Sequence, residues 1–382
     1  MKVRAGRYIR QPGGYSAFIP APLPPNPPLE LSGELQALLS QADRALGRLD
    51  GSVQTLPNPD LFVFMYVRKE AVLSSQIEGT QSSLQDLLAA EAHFLDPDMP
   101  RDVGDVVNYV SAMNHGLRRL HELPVSVRLI REIHAHMMQG TRGGTLQPGE
   151  LRTSQNWIGP AGCTLATATF VPPPHHAVPA ALGELENFLH RGDTLPPLLK
   201  IALAHVQFET IHPFLDGNGR IGRLLITFLL MEREVLHKPV LYLSYYFKKH
   251  RQEYYELLQA VRDRGDWEAW LAFFLRGVVE VASEAADTAR RILKLREEHR
   301  AAITEQMGRA AANGHRVLES LFDRPIVTVK DVENLIGTTY AGANSIVARL
   351  VRVGVLEEMT GFARNRRFRY APYIALFNED RG

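Results

Sequence analysis

The chain has 382 residues, 45% hydrophobic and 22% charged, with a formal net charge of +1 at neutral pH. That is enough apolar material for two or three folding units, and the balanced charge excludes a whole-molecule attraction to nucleic acid or an anionic membrane. A single cysteine, Cys163, excludes an internal disulfide framework and a cysteine-based zinc cluster. No apolar run approaches the length that spans a bilayer, and the basic N-terminus lacks the apolar stretch of a secretory signal, so a cytoplasmic protein without membrane attachment is expected.

In chain order, the six prolines of FIPAPLPPNPPL make residues 1–30 an extended arm laid on the surface. From Leu31 apolar residues recur three and four apart, and Asp60 after the PNP turn reads as the cap of a helix over LFVFMYVRKEAVLSSQI. Further helices are expected over 102–121, 126–139, 177–190, 196–210, 220–234, 248–263 and 266–304. Residues 157–176, with β-branched and aromatic residues around glycines and three closing prolines, read as a short hairpin or flap. Past Ala311 the order helix, strand, helix, turn, helix and terminal hairpin is winged-helix-like.

The stretch IHPFLDGNGRIGR, residues 211–223, concentrates chemistry. A glycine-rich turn opening a helix leaves several N–H groups without intrahelical partners, and with the positive end of the helix dipole they form an anion site. Gly217, Gly219 and Gly222 allow close approach of a phosphate; Asn218, Arg220 and Arg223 add donors and charge, the two arginines on one face suiting a di- or triphosphate. Asp216 would repel that phosphate unless a cation lay between, and one carboxylate plus phosphate oxygens is how Mg²⁺ is usually held. His212 at the lip is suited to take a proton from an incoming hydroxyl. Taken singly, each of these residues has an ordinary structural explanation; their coincidence favours function.

Residues 212–223 match in full the signature HxFx(D/E)GNGRxxR and so resemble the Fic family. The resemblance implies a mainly α fold: an all-helical core with a β-hairpin flap, here followed by a C-terminal winged-helix-like α+β domain. It implies transfer of AMP from ATP, with Mg²⁺, to a Ser, Thr or Tyr hydroxyl of a target protein. His212 would be the general base, Asp216 the Mg²⁺ ligand, Phe214 an apolar anchor, and Gly217, Asn218, Gly219, Arg220, Ile221, Gly222 and Arg223 the phosphate cradle. Ser74-Ser75-Gln76-Ile77-Glu78-Gly79 fits the family's inhibitory pattern (S/T)xxxE(G/N). Glu78 would pair with Arg223 in place of the γ-phosphate, Ser74 steadying its carboxylate and Gly79 ending the helix with positive φ. Some relatives also remove AMP, and the sequence leaves that open. Residues from Arg152 through the flap resemble a target-docking hairpin whose edge adds a strand from the target, with Ile158 and Gly159 near the nucleotide; Tyr254 resembles a position near the adenine, and is equally well read as a packing aromatic. His175 and His176 read as loop histidines.

The expected divisions are 1–100, an arm with the inhibitory helix; 101–265, the catalytic core; 266–308, a connecting helix; and 309–382, the winged-helix-like domain. The last holds eleven Lys or Arg against eight Asp or Glu, concentrated in ARNRRFRY. DNA contact through Asn344, Ser345, Arg349 and Arg352 is an alternative, less favoured than protein docking because the excess charge is small. The expected partners are a hydroxyl-bearing target protein, the chain itself, and a second copy in a homodimer. Two other readings stay open: a DNA-binding regulator whose core only senses nucleotide, and transfer of a different nucleotide.

Overall fold

The structure is a computed structural model that describes residues 4–56, 59–91, 100, 102–140, 147–160, 162–192, 194–361 and 366–378. Its helices are α1 Gly33–Gln54, α2 Pro59–Ile77, α3 Leu84–Glu91, α4 Val103–Arg119, α5 Val127–Met137, α6 Val178–His190, α7 Pro197–Ile211, α8 Asn218–Glu232, α9 Ser244–Lys249, α10 Arg251–Arg264, α11 Trp267–Met307, α12 Ala311–Asp323, α13 Val329–Ile336, α14 Tyr340–Arg352 and α15 Ala371–Asn378. The strands are β1 Gly6–Arg10 and β2 Ser16–Pro20, an antiparallel pair, and β3 Ile326–Thr328, β4 Glu357–Glu358 and β5 Arg367–Arg369, an antiparallel sheet in the order β3-β5-β4. The fold is mainly α, as expected. Among the described residues no helix is long and apolar enough to cross a membrane.

Helix α7 is the axis of the core. Its residues from Leu198 to Ile211 are buried on every side, charged ones included, as in a helix with no solvent face. Pro197 at its first turn costs nothing, because that N–H has no intrahelical partner. α8 returns alongside it, α5 and α4 cover α8, and the long α11 packs along both α1 and α7. One buried link between α11 and α7 is the indole of Trp270, whose Nε1 donates to the Ala202 carbonyl at 2.9 Å. The start of α11 is fixed by Asp266, whose side chain accepts from Ala269 N–H, and by Gly265, which ends α10 at φ +68°.

Several expectations are corrected. The N-terminal arm is a β-hairpin: Tyr8 meets Phe18 edge-on at 5.1 Å, and Phe18 N–H donates to Val171 O at 2.9 Å, tying the arm to the flap. Of the prolines that suggested an extended arm, Pro20 ends β2 and the others follow the hairpin instead of preventing it. Asp60 lies inside the first turn of α2 and its carboxylate reaches Lys238, so it is not the cap. The expected helix at 248–263 is two, broken at His250. Short helices α3 and α15 were not anticipated. α15 packs on α11 and on α2, where Phe377 meets Tyr66 at 5.6 Å. The flap is narrower than a hairpin of full strands: among the described residues it has one bridge, Ile158 to Phe170. Part of the arginine-rich segment, residues 362–365, lies outside the described residues.

Candidate functional site

α7 ends at His212, whose backbone turns left-handed at φ 49° and ψ 62°. Such a conformation costs a non-glycine residue energy and persists only when its surroundings fix it. Here two buried arginines do so by taking the carbonyls that a helix C-terminus leaves without partners. Arg152 donates to His212 O at 2.9 Å, to Ile211 O at 3.4 Å and to Pro173 O at 2.5 Å, and its own N–H donates to Pro213 O at 2.9 Å. Arg262 donates to Glu209 O and Thr210 Oγ1, each at 3.2 Å, with its guanidinium 3.9 Å over the ring of Phe170. The same arrangement sets the charge of the His212 imidazole. Burial, then Arg262 and Arg152, pull its pKa down to about 3 against the opposing pull of Glu78 and the Glu209 carbonyl, so the ring is neutral at neutral pH. Its Nδ1 is buried with no hydrogen-bond partner among the described residues.

The turn from His212 to α8 is held from within. Phe214 N–H donates to Asn218 Oδ1 and Asn218 Nδ2 donates to Phe214 O, both at 2.8 Å. Asn218 therefore staples the loop, and its buried amide is engaged on Phe214 instead of standing free as the expected phosphate donor. Asn156 adds donations from Nδ2 to Phe214 O at 2.9 Å and His212 O at 3.3 Å, linking the flap to the same turn. The buried ring of Phe214 lies flat on His134, with centroids 3.8 Å apart and planes 4° apart. His134 accepts Gly149 N–H at Nδ1 at 2.8 Å, and its Nε2 lies 3.1 Å from Asp216 O. Burial pulls its pKa down to about 4, so this ring too is neutral.

A cavity opens beside the turn, lined by Glu78, His212, Leu215, Asp216, Gly217, Asn218 and Gly219. Gly217 at φ +78° makes the bend into α8. At Gly219 a β-carbon would stand 2.2 Å from Glu78 Oε1, so the bare backbone is what lets that carboxylate lie on the first turn of the helix. Arg223 reaches the same place from one turn further on: Nη2 donates to Glu78 Oε1 at 2.7 Å and to Ser74 O at 2.9 Å, and Nε donates to Ser74 Oγ at 2.8 Å. Ser74 thus steadies the arginine and not, as expected, the carboxylate, because α2 ends at Ile77 and Glu78 lies beyond its last turn. Gly79, next along, takes φ +98°. Partial desolvation works against ionisation of Glu78, whose side chain is 40% exposed, but Arg223 and then Arg220 outweigh it and hold the carboxyl below the usual range. Burial likewise opposes the charge on Arg223, and Glu78 together with Tyr254, Glu209 and Tyr255 outweighs it.

Asp216 keeps a half-exposed side chain. Oδ1 accepts Gly217 N–H at 2.6 Å, and Oδ2 stands 3.7 Å from Arg220, too long for a hydrogen bond. Among the described residues no three His, Cys, Asp or Glu side chains come together as a metal site. A single outward carboxylate beside an anion seat is the donor set for Mg²⁺ shared with phosphate oxygens, and the residues fit that ion. His175 and His176 stand with their rings nearly perpendicular, 83° apart, at the entrance to α6.

Other residues fall behind or beside the cavity. Tyr254 is core: its hydroxyl is 2.9 Å from His205 Nε2, its ring stacks on Phe247 at 4.6 Å, and the other nitrogen of His205 is 2.9 Å from Gly222 O. Its neighbour Tyr255 is the more exposed of the two and feels the charges of Glu78 and Arg223. Ile158 pairs with Phe170 in the flap, and Gly159 packs where a β-carbon would meet Cys163 Sγ at 2.7 Å. Ile221 is buried on α8.

Glu209, which stands in no sequence motif, is a buried carboxyl pressed against Gly222, with Oε1 lacking a hydrogen-bond partner among the described residues. Burial raises its pKa from 4.5 to about 7, Arg223 opposing and Glu78 adding to the rise. The folded chain therefore keeps this proton between pH 4.5 and about 7 while the unfolded chain has released it, so the contribution to stability drains away as pH rises through that window. Glu209→Gln should gain in denaturation midpoint over the unsubstituted chain across the same window, the difference levelling off above it. A difference independent of pH would refute this assignment.

The profile described as Fic/DOC family matches residues 124–230, and the one described as Fic/DOC family N-terminal matches residues 36–118. The chain is 29% identical over 182 residues to a probable protein adenylyltransferase of Aquifex aeolicus, a match covering 46% of this chain and 51% of that protein. It is 31% identical over 151 residues to the protein adenylyltransferase Fic of Aedes aegypti, covering 39% of this chain and 27% of the relative. The matches thus span about half or less of these relatives' length. The crystal structure of a Fic family protein from Desulfovibrio desulfuricans G20 shares the fold, with a TM-score of 0.60 at 18% identity over 90% of this chain and 97% of that one.

Proposed function

The chain belongs to the Fic/DOC family, whose two profiles cover residues 36–118 and 124–230, and from that premise we propose that it is a protein adenylyltransferase restrained by its own Glu78. The observation that carries this reading is the common cavity: a neutral His212 imidazole, an outward Asp216 carboxylate and the first turn of α8 face one space, and Glu78 on Arg223 lies across it.

In the proposed reaction a Ser, Thr or Tyr hydroxyl of a target protein attacks the α-phosphorus of ATP. His212 takes the hydroxyl proton as the new P–O bond forms, the α–β bridge breaks, and pyrophosphate leaves. The first turn of α8 would cradle the phosphates through its backbone N–H groups, with Arg220 and Arg223 adding charge and Arg223 serving the terminal phosphate. Asp216 would hold Mg²⁺, which neutralises charge on the phosphate oxygens when bound. The target segment would add to the flap as a strand. Since Phe18 of the N-terminal arm already bonds Val171, the edge left for it is that of residues 156–159.

The regulator reading, in which the C-terminal region grips DNA, draws less support. Arg349 donates to Met307 O at 3.1 Å, Arg366 to Asn344 Oδ1 at 2.6 Å, and Arg369 pairs with Glu357 at 3.0 Å, so three of the arginines it would use are engaged within the chain.

Intact-mass spectrometry after incubation with Mg-ATP tests the proposal. The Glu78→Gly chain is expected to gain whole AMP units, on itself or on added protein, and to lose them in favour of UMP, GMP or CMP only if the donor is another nucleotide. No covalent product with any of the four nucleotides would leave the nucleotide-sensing regulator as the better account.

A further inference from the structure

His134 has no part in the reaction just proposed, yet it is the residue on which three segments meet. It sits near the end of α5, buried, with its ring flat on Phe214. Because Nδ1 accepts the Gly149 N–H at 2.8 Å, it carries no proton, and the neutral ring must carry its hydrogen on Nε2. That hydrogen points at the Asp216 carbonyl, 3.1 Å away.

The consequence follows from peptide geometry. The carbonyl of Asp216 and the N–H of Gly217 belong to one rigid plane and point in opposite directions. Holding the oxygen on His134 therefore aims the N–H away from it, and that N–H is the one that donates to Asp216 Oδ1 at 2.6 Å. With Oδ1 so engaged, Oδ2 is the oxygen left over, in a side chain that lines the cavity. The plane is otherwise a soft place in the chain, since glycine at 217 tolerates either sign of φ. Without the hydrogen bond from Nε2 the plane is free to turn over, taking the support of the carboxylate with it.

We propose that His134 is a positioning residue that fixes the Asp216–Gly217 peptide and so orients the Asp216 carboxylate toward a metal-bound nucleotide. The same ring joins the segment leading into the flap, through Gly149, to the turn that carries His212. This inference rests on the adenylyltransferase reading for its metal and nucleotide, but not for the geometry.

Two amides separate the two nitrogens. In a Glu78→Gly background, His134→Asn keeps an acceptor near the position of Nδ1 and loses the donor to Asp216; His134→Gln keeps a donor near Nε2. The Mg²⁺ concentration for half-maximal AMP transfer should rise about tenfold in His134→Asn, with the rate at saturating Mg²⁺ retained, and His134→Gln should stay within about threefold of the parent, as expected for a group that supports a metal ligand. A readout free of turnover uses the additional change His212→Asn, which tolerates the left-handed backbone at 212, and calorimetric titration with ATP. His134→Asn should lose most of the tightening that Mg²⁺ gives to ATP binding, while binding without Mg²⁺ stays the same. Equal losses in both variants, or a fall in maximal rate with an unchanged Mg²⁺ response, would overturn the proposal. So would nitrogen NMR of the unsubstituted protein showing the His134 proton on Nδ1, a measurement that holds even if a variant fails to fold. If the Glu78→Gly chain transfers no AMP, the reaction reading fails, and the ATP titrations with and without Mg²⁺ still decide the role of His134.

Discussion

Glu78→Gly is expected to raise the initial rate of AMP transfer by between about 5- and 150-fold, the range of a coupling between one site and an element that blocks it. The carboxylate lies where an anion would lie: on the first turn of α8, against Gly219, with Arg223 Nη2 donating to it at 2.7 Å. Removing it leaves Arg223 still tethered to Ser74 through two hydrogen bonds, so the guanidinium stays in place with its charge uncompensated. A buried cation in that state attracts the nearest mobile anion, and ATP should bind more tightly as well as react faster. The glycine chain should also melt at a lower temperature and recover most of the loss when Mg-ATP is added. Because Arg223, with Arg220 behind it, holds the Glu78 carboxyl below its usual range, mild acidification should not imitate the substitution. Arg223→Ala removes the brake and the phosphate partner together and should not activate. The comparison needs only labelled ATP and time courses of both proteins; identical rates with and without Glu78 would end the autoinhibition account.

What could be read in the sequence follows from where information is local. The apolar period placed most helices within two or three residues of their observed ends, and a contiguous thirteen-residue stretch carried the turn, the imidazole, the carboxylate and both arginines. The contact of Glu78 with Arg223 was legible because the Glu78 pattern lies at one helix end. Residues that act from other elements were not. Arg262 on α10, Glu209 and His205 on α7, and His134 on α5 converge only through packing, and none stands in a motif of its own. Arg152 and Asn156 were seen as parts of the flap, but not as donors to the carbonyls of His212 and Phe214, since the end of α7 is invisible until its left-handed residue is known. Asn218 was assigned to the phosphate because an asparagine beside glycines looks like a free donor; within the fold it is the shortest route for closing the loop. Tyr254 illustrates the converse, since the pattern gave its packing and adenine roles equal standing and the fold engages its hydroxyl on His205.

His212 carries the largest expected loss. Its removal should lower the maximal rate of AMP transfer by about 10²- to 10⁴-fold, the usual worth of a positioned general base. Alanine alone would be ambiguous, because position 212 is left-handed and a residue that resists that backbone disturbs the loop as well as the chemistry. Asparagine tolerates left-handed backbone and brings no comparable base, so His212→Asn isolates the imidazole. If the base is what matters, both variants fall by similar factors while the asparagine chain keeps its melting temperature and its affinity for ATP. The pH profile adds an independent check. A base is active in its unprotonated form, and burial with Arg262 and Arg152 brings the His212 pKa down to about 3, so the active form prevails throughout the range in which the protein stays folded. The unsubstituted chain should therefore show no loss of rate centred near the ordinary histidine value of about 6.5 as pH is lowered. An acid limb centred there, present in the Glu78→Gly chain and absent from a slow residual reaction of His212→Asn, would mean that the imidazole is not held neutral by those two arginines during turnover, and the electrostatic account of the turn would have to be replaced.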